Sequence, residues 1–319
     1  MWFWLSLITL LCWSGSDLFS KIGCRDADDK LSHLKMVIAV GTVMGLHAAF
    51  EIFVSGTPIS WSVIWTYLPV SLLYIGSMAL GYLGLRYIEL SVSSPICNSS
   101  GALVAVLTLL FVGGDDYSPL ALCAILLVCA GAIGLGVVDA TEDPELRAER
   151  QKDGNYKYAK SFLALALPVA YCLLDAAGTF ADNRVLEILT DRFLAAGMAA
   201  TRKECVDLAA ASANCAYELT FLAAAVVCFI YVVLIRKDKL IPRLEGPKYL
   251  GAICETAGQF AYIYAISDTS HLAMSAPIIA SYCAASVLWS RLFLKEKLSW
   301  KHYGMIGLIV IGIALMGML

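Results

Sequence analysis

The chain has 319 residues, 60% of them hydrophobic and 15% charged, with a mean hydropathy of +0.75 and a formal net charge of −3. That leaves too little polar surface to cover a soluble body of this size, so the chain must be solvated mainly by lipid. The small acidic balance, with basic residues held in short connections, excludes a nucleic-acid partner, and eleven cysteines without CxxC or Cys/His ligand spacing give neither a metal site nor a cofactor.

Apolar stretches of roughly 20 residues, enough to cross about 30 Å of hydrocarbon as a helix, can be followed along the chain. The first, Met1 to Lys21, has no basic residue ahead of it, so it is expected to stay as a span rather than be cleaved as a signal. On it Trp13 and Asp17 are four residues apart and share a helix face, while Lys21 follows one turn later; Asp17 is either a site residue or half of a helix-end ion pair. The second span, His33 to Val54, carries His47 and Glu51 at i, i+4, two groups without the further ligands a metal needs, which points to buried hydrogen bonding. The third, Ile64 to Leu85, ends at Arg86 and Glu89, which are either interfacial anchors or part of a gate. In the fourth, Ser91 to Val112, Pro95 predicts a bend, and Asn98, Ser99 and Ser100 just beyond it either line a cavity or bond across a helix interface. The fifth, Pro119 to Val138, holds Gly131, Gly134 and Gly136 for close packing.

A polar segment follows, with the run TEDPELRAERQKDGNYK, that cannot enter a bilayer. It divides the chain into a five-helix unit at 1–139, a linker at 140–158 and a second five-helix unit at 159–319. The sixth span, Ala159 to Phe180, places Tyr171 and Asp175 in the spacing of Trp13 and Asp17, here with no basic residue at i+4. Each of the two carboxylates lies near an end of its predicted span, on opposite sides, which suggests two access points rather than one shared cage.

An insert at 181–215 comes next. Thr201 and Glu204 have capping-box spacing there and predict short amphipathic helices, either a lid or a surface decoration; Cys205 and Cys215 are either bridged or free thiols. The seventh span is Ala216 to Ile235. The eighth, Tyr249 to Ser267, carries Glu255, Gln259, Tyr262 and Tyr264, a carboxylate among aromatic rings that suits a proton or an organic cation. The ninth, Leu272 to Phe293, has Pro277 followed by Ser281 and Tyr282; the tenth, Trp300 to Leu319, has Gly304, Gly307 and Gly312 for packing.

A 21-residue stretch from Gly76 recurs without a gap 182 positions later, with seven identities: Gly76, Ala79, Tyr82, Leu90, Ser93, Pro95 and Ile96 fall on Gly258, Ala261, Tyr264, Leu272, Ser275, Pro277 and Ile278. A repeat of five spans must insert its second copy upside down, which predicts an all-α membrane protein of ten transmembrane helices in two inverted five-helix repeats. About 19 of the 23 Lys and Arg residues fall in the connections after odd-numbered spans, which by charge alone puts both termini outside.

The segments YAISDTSHLAMSAP (Tyr264 to Pro277) and LFLKEKLSW (Leu292 to Trp300), with the glycine-punctuated last span, resemble the EamA-type repeat of the drug/metabolite transporter superfamily. GLRYIELSVSSP (Gly84 to Pro95), VGGDDYS (Val112 to Ser118) and the opening WSGSDLFSK (Trp13 to Lys21) resemble a weaker first copy. The resemblance implies a central cavity and secondary active transport of metabolites, with termini more often inside the cell, against the charge count.

Together these readings predict a multi-pass plasma-membrane carrier, not an enzyme, since HExxH, GxSxG and paired catalytic carboxylates are missing from the sequence. Its substrate is expected to be a small cationic or zwitterionic amine or amino acid, held by Trp13, Asp17, Asn98, Tyr171, Asp175, Glu255, Gln259, Tyr262 and Tyr282, with protons as the coupling partner. The alternatives are a receptor or scaffold without transport, or a carrier of anionic metabolites.

Overall fold

The computed structural model describes residues 1–26, 29–87, 90–111, 118–141, 162–295, 298–316 and 318. The expectations for Glu89, for most of VGGDDYS and for nearly all of the 140–158 linker lie outside the described residues. Within them every regular element is helical: α1 Trp2–Cys24, α2 Ser32–Phe53, α3 Trp61–Tyr87, α4 Leu90–Asn98, α5 Ser100–Phe111, α6 Pro119–Ala140, α7 Phe162–Ala195, α8 Arg202–Phe229 running on as a π-helical turn at Ile230–Ile235, α9 Pro242–Ile266, α10 Leu272–Ala280, α11 Tyr282–Phe293 and α12 Trp300–Met316.

Six of the described stretches are long and apolar enough to cross a membrane, and α12 is a shorter apolar helix. Ten spans were expected; α9 falls outside the six because Glu255, Gln259 and several tyrosines dilute its apolar character. Large apolar side chains cover the outside, among them Trp4, Leu11, Phe53, Trp61, Leu126, Val227 and Leu234, which is the arrangement for a lipid solvent. Small residues let the helices approach. A Cβ at Gly101 would sit 2.3 Å from the Ala280 side chain, and one at Gly131 2.5 Å from Ile309, so α5 meets α10 and α6 meets α12 nearly backbone to backbone. Gly312 packs equally closely on α6, but Gly304 and Gly307 have no neighbour near and do not serve the packing expected of them.

The 182-residue repeat reappears in the helix boundaries. Leu90–Asn98 and Ser100–Phe111 map residue for residue onto Leu272–Ala280 and Tyr282–Phe293, with the breaks at Ser99 and Ser281. Proline supplies no N–H and disturbs the ladder ahead of it. In both copies the next serine amide closes a tightened turn, Ser99 onto the Pro95 and Ile96 carbonyls and Ser281 onto those of Pro277 and Ile278. Helix pairing follows the same logic: α1 packs along α9 and α3 along α7, α4 on α11 and α5 on α10, α2 on α8 and α6 on α12. Exchanging the two sets of six helices leaves that list of pairs unchanged.

The 181–215 segment is not an inserted loop. Residues 181–195 continue α7 and 202–215 begin α8, leaving only 196–201 as a connection. The Thr201 hydroxyl accepts from the Glu204 amide while the Glu204 carboxylate accepts from the Thr201 amide, so the capping box starts one long helix rather than a short one. Cys205 and Cys215 are both buried and free. Ten residues apart on a straight helix, their Cα atoms are separated by roughly 15 Å, too far for a bridge.

Candidate functional site

Residues from α1, α3, α4, α5, α7, α9, α10 and α11, with Tyr217 of α8, line an internal cavity of about 950 Å³ of space between atoms, mouth included. Trp13, Asp17, Asn98, Tyr171, Asp175, Glu255, Gln259, Tyr262 and Tyr282 all lie on its wall. The broken helices explain part of this. The turn at Ser99 sets Asn98 and Ser100 at the wall, and the turn at Ser281 does the same for Tyr282.

The expectation of two separate access points fails, because Asp17 and Asp175 share this one cavity. The cause is helix length: α7 runs on to Ala195, so Asp175 sits well inside the helix instead of near its end. The alternative ion pair of Asp17 with Lys21 also gives way. Lys21 Nζ donates to the Leu85 carbonyl at 2.8 Å, and Asp17 Oδ2 accepts from Ser94 Oγ at 2.6 Å and Ser286 Oγ at 2.8 Å. Asp175 Oδ2 accepts from Ser100 Oγ at 2.7 Å. Neutral hydroxyls thus serve all three cavity acids, Ser16 being the partner of Glu255, and no Lys, Arg or His belongs to the described lining.

Aromatic rings frame the acids. Trp13 lies 5.1 Å from Tyr262 and 5.8 Å from Tyr282, ring centre to ring centre, and its Nε1 donates to the Glu255 carbonyl at 3.3 Å. Gly258 makes this seat: a Cβ there would stand 2.4 Å from the indole. Asn98 keeps to its own helix, donating to Ser94 O at 2.8 Å, so lining and local bonding are both true of it. Three buried polar atoms on the wall, Ser20 Oγ, Tyr82 Oη and Gln259 Nε2, have no hydrogen-bond partner among the described residues. Such groups cost stability unless something else satisfies them.

Two different clusters lie beyond the described lining. Past Ser20 and Leu85, Asp29 bridges Lys35 at 2.9 Å and Lys248 at 3.2 Å, while Lys248 also meets Glu245 at 3.2 Å and Arg86 donates to the Asp29 carbonyl at 2.8 Å. Burial by itself would raise the Asp29 pKa, but the hydrogen bond from Lys35 and the charge of Lys248 outweigh it and hold the carboxyl below its usual range. Arg86 is buried in this cluster, which corrects its reading as an interfacial anchor; the loop before α2 folds over it. Past Tyr74 and Thr179, Asp182 accepts from Tyr67 at 2.6 Å and Tyr74 at 3.3 Å, and Tyr262 bonds to Tyr74 and Thr179.

His47 stands apart from the cavity lining. Its Nδ1 is 2.9 Å from both carboxylate oxygens of Glu218, and Asn214 supports that carboxylate at 3.0 Å, so hydrogen bonding between α2 and α8 accounts for it, with Glu51 at 4.0 Å. Sequence reasoning missed Tyr74, Tyr82, Tyr217, Ser94, Ser286 and Asp182. The repeated Tyr82 was a usable signal; Asp182 was lost because the sixth span was ended at Phe180.

Comparison with curated proteins finds no match. A crystal structure of a protein shares the fold with a TM-score of 0.59 at 15% identity, over 98% of this chain and 95% of that one. Residues 193–318 match the EamA-like transporter family, part of the drug/metabolite transporter superfamily, a non-enzymatic transporter family. Those residues run from the end of α7 through the last described helix, so the similarity to EamA-like transporters covers the C-terminal part of this multi-pass membrane protein, less than half of the chain.

Proposed function

We propose that the protein is a secondary active transporter of a small cationic or zwitterionic metabolite, an amine or amino acid, in the plasma membrane. Two inverted five-helix halves enclose the cavity and expose it alternately to either side, and a proton gradient drives the cycle. The observation that carries this reading is the composition of the cavity wall: Asp17, Asp175 and Glu255 with six tyrosines and Trp13, and no basic side chain among the described lining residues. In a low-dielectric surround such a wall favours a positive ligand through charge pairing and cation–π contact, and repels phosphate or carboxylate alone. The unpartnered donors Tyr82 and Gln259 favour a zwitterion, since they can receive its carboxylate while the acids hold the ammonium.

Alternation is supported by the matched breaks at Ser99 and Ser281 and by the exchange symmetry of helix pairs. A receptor or scaffold would need none of the three acids, and a carrier of anions would need the bases that the described wall lacks. The test is thermal stability of the purified protein against a panel of amines, amino acids and phosphorylated metabolites, because a ligand bound only by the folded state raises the unfolding temperature. Stabilisation by amines or amino acids supports the reading; stabilisation confined to phosphorylated compounds overturns it. Uptake into vesicles that ignores pH and uncouplers would remove the proton from the account.

A further inference from the structure

Asp182 is fully buried in α7, and no Lys, Arg or His pairs with it among the described residues. It lies seven residues after Asp175, with Thr179 between, so the three share one face of α7 and lead from the cavity wall into the bundle. Across from them Tyr67 and Tyr74, also seven apart, share a face of α3. From α9 comes Tyr262, bonded to Tyr74 and Thr179; from α8 comes Tyr217, edge-on to Tyr74. At the cavity end α4 presents Cys97 near Asp175. A continuous line of oxygens therefore joins the cavity to a carboxylate that does not itself line it.

We propose that Asp182 is the binding site of the coupling proton, and that the cavity acids are left to the substrate. The inference rests on the transport reading above and assigns its driving ion. Hydroxyl chemistry supplies the mechanism. Each phenol owns one proton, so when Tyr67 and Tyr74 both donate to Asp182, Tyr262 must supply the proton it shares with Tyr74. The ionised carboxylate thus ties α7 to two turns of α3 and, through Tyr74, to α9. A proton arriving from the cavity adds to one carboxylate oxygen and turns it into a donor. One phenol then loses its acceptor and the α3–α7 tie loosens at this end. Oxygen–oxygen spacings of 2.5 to 3.3 Å between Asp182, Tyr67, Tyr74, Thr179 and Tyr262 are direct hydrogen-bond distances, the geometry over which a proton passes.

Amide hydrogen exchange on the full-length protein in lipid nanodiscs tests this without any substrate, after correction for the intrinsic pH dependence of exchange. In the wild type, acidification raises exchange in 61–74 and 179–195 on the order of tenfold, and added sodium chloride, compared with choline chloride at equal ionic strength, changes nothing. Asp182→Asn exchanges fast in both segments at every pH. Tyr67→Phe, which keeps the carboxylate and removes one donor, still responds but with its midpoint moved to higher pH. An unchanged pH response in Asp182→Asn, a Tyr67→Phe midpoint that stays put, or a sodium-specific protection would each overturn the proposal. If Asp182→Asn does not fold, the Tyr67→Phe midpoint decides. A protein that binds no amine would end the transport reading while this proton site stands or falls on its own result.

Discussion

The two clusters that flank the cavity are built from opposite chemistry. At one end Asp29, Lys35, Lys248, Glu245 and Arg86 bring charges of both signs together out of solvent; at the other, Asp182 is met only by tyrosine and threonine hydroxyls among the described residues. Pairing of opposite charges makes a tie that changes little with pH over the ordinary range and breaks badly if one partner is lost. A carboxylate held by neutral donors is weaker, and its bonding pattern changes with a single proton. The lesson is that burial alone does not define a lock; the partner's charge decides whether it is permanent or switchable.

The largest effect should come from the charged end. Asp29→Asn leaves Lys248 buried and short of a counter-charge, and a loss of about 3–5 kcal/mol is expected, read as a large fall in unfolding temperature in detergent. Acid should do the same by degrees. Because the folded-state pKa of Asp29 is depressed, its contribution is fully present above the unfolded value of about 3.9 and is lost as pH falls through the lower folded value.

Next in size, Asp175→Asn or Glu255→Gln should weaken amine binding by roughly 1.5–3 kcal/mol, tenfold or more, with the fold intact in circular dichroism. Tyr67→Phe should cost only about 1 kcal/mol in stability, since Tyr74 still serves Asp182. That contrast with Asp29→Asn is the sharpest test of the difference between the two ends; equal losses would erase it. Smallest of all, reducing agent should leave the unfolding temperature unchanged, because Cys205 and Cys215 are free thiols on one helix.

Much of the cavity wall was legible because its residues violate their surroundings. Asp17, Asp175 and Glu255 stand out as charges in apolar stretches, and the Trp13 and Tyr171 spacings put rings on the same helix faces. Gly76 to Ile96 against Gly258 to Ile278 announced the repeat, and the structure adds that the breaks after Pro95 and Pro277 keep the same register. What could not be read was length and direction. An amphipathic continuation such as 181–195 looks like a loop when its charges are counted without knowing that one face is buried, and Asp182 and Thr190 are on that face. Partners across helices were equally invisible, since Ser286 to Asp17 spans 269 residues of sequence and Tyr67 to Asp182 spans 115.

The most direct measurement compares unfolding temperatures of the wild type and the Asp175→Asn/Glu255→Gln double variant against amines, amino acids and phosphorylated metabolites. The account predicts that amines or amino acids stabilise the wild type in a concentration-dependent way and that the double variant, still folded, loses that response. Stabilisation by phosphorylated compounds alone, or an amine response that survives in the double variant, would contradict it.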